Sequence, residues 1–115
     1  MNFLLDTNVV SEWTKPKPDA NLVAWLASVD EDRTFLSVVT IAEIKFGIER
    51  LKPGQRRAAL ERWLHSDLKA RFGGRILPVD DAVADTWGKV AAARAAAGRP
   101  IGIMDGFIAA ASRLA

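Results

Sequence analysis

Three carboxylates in this 115-residue chain share one sequence context. Asp6 follows Phe3-Leu4-Leu5, Glu43 comes just after the run Thr34-Phe35-Leu36-Ser37-Val38-Val39, and Asp105 follows Ile101-Gly102-Ile103-Met104. An acid at the carboxyl end of an apolar strand stands where open α/β sheets bind their ligands. With little water around it, such a carboxylate needs a cation or several donors. Two carboxylates 4 Å apart repel by about 4 kcal/mol at an effective dielectric of 20. Three that converge therefore call for a divalent cation or a raised pKa. The chain has no cysteine and one histidine, His65. Oxygen ligands alone suit Mg²⁺, or Mn²⁺, and not zinc.

Each acid also has a purely structural reading. Asp6 is a turn-former or the cap of a short helix, Glu43 completes a capping box begun by Thr40, and Asp105 is an N-cap. Singly, these readings are at least as good as a functional one. Together, the repetition of one context favours a shared site.

The elements that must position the acids follow from the apolar pattern. Phe3-Leu4-Leu5 has no polar alternation and reads as a strand buried on both faces, ended by Asp6-Thr7-Asn8. After a connection containing Pro16 and Pro18, Asp19 caps a helix with Leu22, Val23, Trp25, Leu26 and Val29 at helical spacing. Residues 34–39 are β-branched and aromatic and read as a second strand. Thr40-Ile41-Ala42-Glu43 then opens a helix running through Ile44, Ile48 and Leu51. Gly47 inside it costs about 1 kcal/mol relative to alanine, for which close packing of another backbone would compensate. Beyond Pro53-Gly54, a helix over about 55–72 carries Leu60, Trp63, Leu64 and Leu68 on one face, and Gly73-Gly74 stops it. Residues 75–79 form a third strand, which Pro78 confines to an edge or a strand end. Asp80 or Asp81 caps a helix that carries Val83, Trp87 and Val90 inward and ends at Gly98, and the last helix starts near Asp105. Strands separated by helices require crossovers, hence a parallel sheet with helices on both sides in one α/β domain, residues 1–115. Parallel strands put Asp6 and Glu43 at one rim, and Asp105 joins them if its helix begins there.

Composition narrows the class. Half the residues are hydrophobic and 26% are charged, as in ordinary soluble domains. No apolar run reaches membrane-spanning length and no secretory leader is visible, so a cytoplasmic protein is expected. Net charge is +2 but unevenly spread. Residues 1–44 hold three basic and seven acidic side chains, residues 45–75 nine and three, and residues 76–115 four and four. The middle stretch is a candidate surface for phosphates, or else the solvated face of helices. His65 lies in that stretch as a surface residue. Trp13, Trp25, Trp63 and Trp87 fall at apolar helical positions and read as core or subunit contacts. Trp25, Ile48 and Trp63 could present an apolar patch to a partner.

Four segments carry a resemblance: Leu4-Leu5-Asp6-Thr7-Asn8-Val9-Val10-Ser11-Glu12; Leu36-Ser37-Val38-Val39-Thr40-Ile41-Ala42-Glu43 with Gly47; Arg75-Ile76-Leu77-Pro78-Val79-Asp80; and Ile103-Met104-Asp105-Gly106-Phe107-Ile108-Ala109-Ala110. They resemble the PIN-domain nucleases, in particular the VapC and FitB toxins of bacterial toxin–antitoxin pairs. The likeness implies a Rossmann-like three-layer α/β/α fold with a parallel sheet of about four strands. It implies a Mg²⁺-dependent endoribonuclease in which Asp6, Glu43 and Asp105 hold the metal and do the catalysis, supported by Thr7, Asn8 and Thr40. It also implies an RNA substrate, a homodimer and a cognate antitoxin. The family pattern continues into another strand and a fourth acid, which the sequence to Ala115 lacks, so the expected sheet is short of that edge strand. A shortened, weakly catalytic module that binds antitoxin or RNA is the alternative. An aspartate-nucleophile phosphatase is more remote, because those enzymes place a second aspartate where this chain has Asn8.

Overall fold

A computed structural model describes residues 2–114. Three short strands, β1 (Phe3–Leu4), β2 (Thr34–Ser37) and β3 (Ile76–Leu77), form a sheet in the order β1-β2-β3. Both pairings are parallel, with Phe3 opposite Thr34 and Ser37 opposite Leu77. The Leu5 amide extends the first pairing by donating to the Phe35 carbonyl at 2.9 Å. Central β2 is the most deeply placed strand, with Thr34, Leu36 and Ser37 buried. Edge strand β3 stops at Leu77, immediately before Pro78, as a residue without an amide donor dictates.

Helices make every crossover. α1 (Thr7–Ser11) and α2 (Ala20–Ser28) lead from β1 to β2. From β2 to β3 the chain runs through α3 (Val38–Glu49) and a long helix. That helix starts as α4 (Gln55–Arg62), passes through a π-helical stretch, Trp63–Leu68, and closes as α5 (Lys69–Arg71). α6 (Asp81–Ala96) and α7 (Ile103–Leu114) follow β3 and pack chiefly on each other, with α7 also touching α3. The observed architecture is thus the expected α/β arrangement, with three strands in its sheet.

One core joins the first two thirds of the chain. Leu5, Val10, Leu36, Ile44, Ile48, Leu64, Leu68 and Phe72 are buried together, with Trp13, Leu26, Leu60 and Trp63 packed around them. Ile48 therefore belongs to the core and not to the apolar patch expected with Trp25 and Trp63. The most exposed large apolar side chain of α3 is instead Phe46, at 64%.

The start of α3 differs from the expected one. The helix begins at Val38, and Ser37 caps it, its hydroxyl accepting from the Val39 amide at 3.1 Å. Val38 and Val39 favour strands by side-chain shape, but β2 has run out of partners at the Ser37–Leu77 pairing. Ser37 can cap as well as Thr40, and it stands where the sheet ends. Thr40 is consequently inside the helix and the Thr40–Glu43 capping box does not form.

Candidate active site

The carboxyl end of the sheet brings the first two acids to one rim. Asp6 leaves β1 in an extended conformation and caps α1, its Oδ1 accepting from the Val9 amide at 2.9 Å. Capping uses one oxygen; Oδ2 makes no hydrogen bond among the described residues. Asp6 is exposed, so its second oxygen faces a surface that a ligand can reach.

Glu43 is freed by the early start of α3. It lies in the second turn and does not reach back to cap the helix. Its Oε1 instead accepts from the Thr7 hydroxyl at 2.6 Å, across 36 residues of chain. Thr7 is covalently next to Asp6, so this bond ties the end of β1 to α3 and holds Asp6 and Glu43 at the same rim. Helix capping thus describes Asp6 in part and Glu43 not at all.

The other expected residues fall differently. Asp105 is exposed in the first turn of α7, the third residue of that helix and not its cap. Behind it, Gly106 is buried, and a β-carbon there would come within 2.5 Å of Trp87 Nε1 and 2.7 Å of Cδ1. Trp87 also stacks on Phe107 at 5.3 Å between centroids. The glycine thus lets the indole edge seat α7, and the backbone carrying Asp105, on α6. Thr40 is fully buried, its hydroxyl without a hydrogen-bond partner among the described residues. Asn8 is exposed and lines a separate depression with Glu12, Lys15 and Asp19. Among the described residues, no three histidine, cysteine, aspartate or glutamate side chains stand close enough to share a metal ion. The structure therefore joins two of the expected acids and leaves the third on the neighbouring helix.

A groove adjoins the joined pair. A cavity of about 260 Å³ is lined by Thr7, Glu43, Gly47, Ile48, Leu60 and Trp63 among others. A second cavity shares Thr14, Leu60 and Trp63 with it and is also lined by Arg56. The sequence reading did not place this groove. Its one available signal was Gly47, whose expected packing partner is absent: a β-carbon there would meet nothing within 4 Å.

The basic stretch is committed elsewhere in part. Lys45 pairs with Glu49 at 2.7 Å and Glu61 at 2.6 Å, and Arg57 pairs with Glu49 at 2.6 Å. The hydrogen bond to Glu49, then that to Glu61, raises the Lys45 pKa above its ordinary value. The same bond from Lys45 lowers that of Glu49. Arg71 pairs with Glu31 and lies over the Trp13 ring at 4.4 Å, while Arg75 donates to the Thr34 carbonyl at 2.7 Å. His65 is an exposed residue 3.3 Å from Glu61, as a surface role requires. Lys52, Arg56 and Arg62 are exposed and make no ion pair among the described residues.

Known proteins match this architecture over nearly its whole length. The PIN-domain family model matches residues 3–115. Toxin FitB of Neisseria gonorrhoeae is 37% identical over 111 residues, which is 96% of this chain and 80% of that protein. VapC ribonuclease Y4jK of Sinorhizobium fredii is 34% identical over 108 residues, covering 94% of this chain and 77% of the relative. Among solved structures, FitAcB from Neisseria gonorrhoeae superposes with a TM-score of 0.90 at 37% identity, covering 96% of this chain and 80% of that one. DNA-bound VapBC from Salmonella typhimurium gives 0.71 at 25% identity, covering 96% and 77%. No helix among the described residues is long and apolar enough to cross a membrane.

Proposed function

The chain belongs to the PIN-domain family, and from that membership and the geometry of its acidic rim we propose that it is a metal-dependent endoribonuclease, the toxin of a toxin–antitoxin pair. The observation that carries this reading is the 2.6 Å bond from Thr7 to Glu43. It draws a glutamate from α3 to the strand end that holds Asp6, where capping alone would have turned it back on its own helix. The relatives named VapC ribonuclease and toxin FitB give the reaction and the biological setting. The structures titled FitAB and VapBC, which name two components, support a protein antitoxin as partner. A homodimer belongs to the same reading.

The donor set fits a hard divalent cation. Asp6 Oδ2, Glu43 Oε2 and the Asp105 carboxylate are oxygens without hydrogen-bond partners among the described residues, and no nitrogen or sulfur ligand stands with them. Asp6, Asp105 and Glu43 would hold Mg²⁺, which supplies charge to polarise a phosphodiester and to acidify the attacking water. The chain itself does the positioning. The Val9 amide fixes the Asp6 carboxylate, and the Thr7 hydroxyl fixes that of Glu43, leaving one oxygen on each to face the substrate. Glu43, with its orientation set, is also placed to accept a proton from that water. Arg56 and the other unpaired cations of the basic stretch would follow the RNA backbone, so binding weakens as salt rises.

The test is Asp6→Asn in purified protein with Mg²⁺ and single-stranded RNA. Asparagine caps a helix as well as aspartate, so the fold stays intact. Cleavage should fall by about two orders of magnitude or more; unchanged cleavage sinks the site. A second reading, a module that binds without cutting, is favoured by the lack of a three-acid group among the described residues. Calorimetry with Mn²⁺ separates the two: heat of binding that Asp6→Asn abolishes supports the nuclease, and no binding at millimolar metal supports the module.

A further inference from the structure

The groove beside Glu43 contains a residue that packing does not explain. Gly47 lies in the middle of α3, where glycine weakens a helix relative to alanine. The usual justification, close approach of another backbone, fails here, because a β-carbon at Gly47 would meet nothing within 4 Å. What the missing side chain provides is room in the cavity of about 260 Å³.

We propose that this groove receives one unpaired RNA base beside the scissile phosphate, with Gly47 keeping the site open and Trp63 stacking on the base. The proposal rests on the ribonuclease reading and adds the determinant of sequence choice. Three features point to a nucleotide. The walls formed by Ile48, Leu60 and Trp63 offer an apolar and aromatic surface, and every base has a π-face. Ser11 also lines the groove, and its hydroxyl, which makes no hydrogen bond among the described residues, can donate to or accept from a base edge. Glu43, the acid that would face the cut phosphate, lines this cavity, and Arg56, which makes no ion pair among the described residues and can hold the next phosphate, lines the cavity that shares Thr14, Leu60 and Trp63 with it. Alternation of an anionic site, an apolar slot and a cation fits a nucleic-acid strand better than the side chain of an apolar peptide.

The experiment compares wild type, Gly47→Ala and Gly47→Leu on a single-stranded RNA oligonucleotide carrying one abasic residue at each position in turn. Melting temperature and Mn²⁺ affinity are measured on the same samples. Wild type should lose about ten-fold or more in kcat/KM when one position flanking the cut is abasic. Gly47→Leu, with melting temperature and Mn²⁺ affinity retained, should lose a similar factor on the intact oligonucleotide and nothing further at that abasic position. Gly47→Ala should melt higher and keep most of the activity. An unchanged kcat/KM and abasic profile in folded Gly47→Leu overturns the proposal, including the case where this variant loses only its binding to a partner protein. Should Gly47→Leu fail to fold, Trp63→Phe against Trp63→Ala decides: the abasic effect should survive in the first and vanish in the second. Should wild type cut no RNA, the ribonuclease reading fails separately. The abasic series is then read as binding by fluorescence anisotropy in Ca²⁺, where equal affinity for intact and abasic strands overturns the base pocket as well.

Discussion

The body formed by residues 3–77 and the pair α6–α7 are built in different ways. The body closes on eight buried side chains drawn from β2, α1, α3, the π-helical stretch and the residues just past β1 and α5, and every one is a Leu, Ile, Val or Phe. The helical pair contributes none of these. Its own described contacts rest on Val83, Val90, Ala110, the Trp87–Phe107 stack and the bare backbone of Gly106. Two candidate acids stand on the body, Glu43 bonded to the Thr7 hydroxyl next to Asp6. The third stands on the pair. Assembly of a three-acid site therefore depends on how a lightly packed helical hairpin seats against a well-packed sheet.

The largest expected effect probes the body. Phe72→Ala should cost about 3–5 kcal/mol in global stability by denaturant unfolding, because the ring is fully buried at the centre of the core. Next comes the pair. Gly106→Ala should cost about 1–3 kcal/mol, since the added methyl collides with the Trp87 indole. It should also reduce RNA cleavage more than its global stability explains, because Asp105 is the adjacent residue. A stability loss as large as that of Phe72→Ala would instead make the two regions one cooperative unit. Native-state hydrogen exchange sharpens the same contrast: amides of α6 should open at lower free energy than those of α3. Smaller still, Thr7→Val should change stability by no more than about 1 kcal/mol while lowering cleavage about ten-fold, by releasing Glu43.

The smallest effect belongs to the surface. Lys45 lowers the pKa of Glu49, so this carboxylate stabilises the fold above its ordinary pKa, and the contribution is lost as pH falls through the lowered folded value. The melting-temperature difference between wild type and Glu49→Gln should therefore be small at neutral pH and vanish on the acid side of the ordinary glutamate range. A difference that persists at lower pH would show that the pair acts by packing and not by charge.

Legibility in the sequence followed the same division. The order of elements was readable, and Asp6, Glu43 and Asp105 stood out as candidates, because apolar runs and turn residues are local signals. The start of α3 was not. Val38 and Val39 look like strand, and only the length of the neighbouring strands tells the chain to turn at Ser37. The charge pairs were not readable either: Arg71 meets Glu31 from 40 residues away, so part of a basic run in the sequence is neutralised in space. Gly47 was visible but misread, since a sequence shows that a side chain is missing and not whether its place is filled or empty. Trp25, expected in a core or subunit contact, packs edge-on to Phe3 at 5.2 Å and remains 38% exposed.

The π-helical stretch Trp63–Leu68 has a last implication. Each π turn accommodates a surplus residue, and one residue rotates a helix by about 100°. That rotation sets the angular phase between Leu60 and Trp63, which line the groove, and Leu68 and Phe72, which fill the core. Deleting Ser66, so that the wide turn reverts to ordinary winding, would swing one set away from its station while the other stayed put. The wide turn works as a phase shifter between the groove-lining and core-filling residues of a single helix.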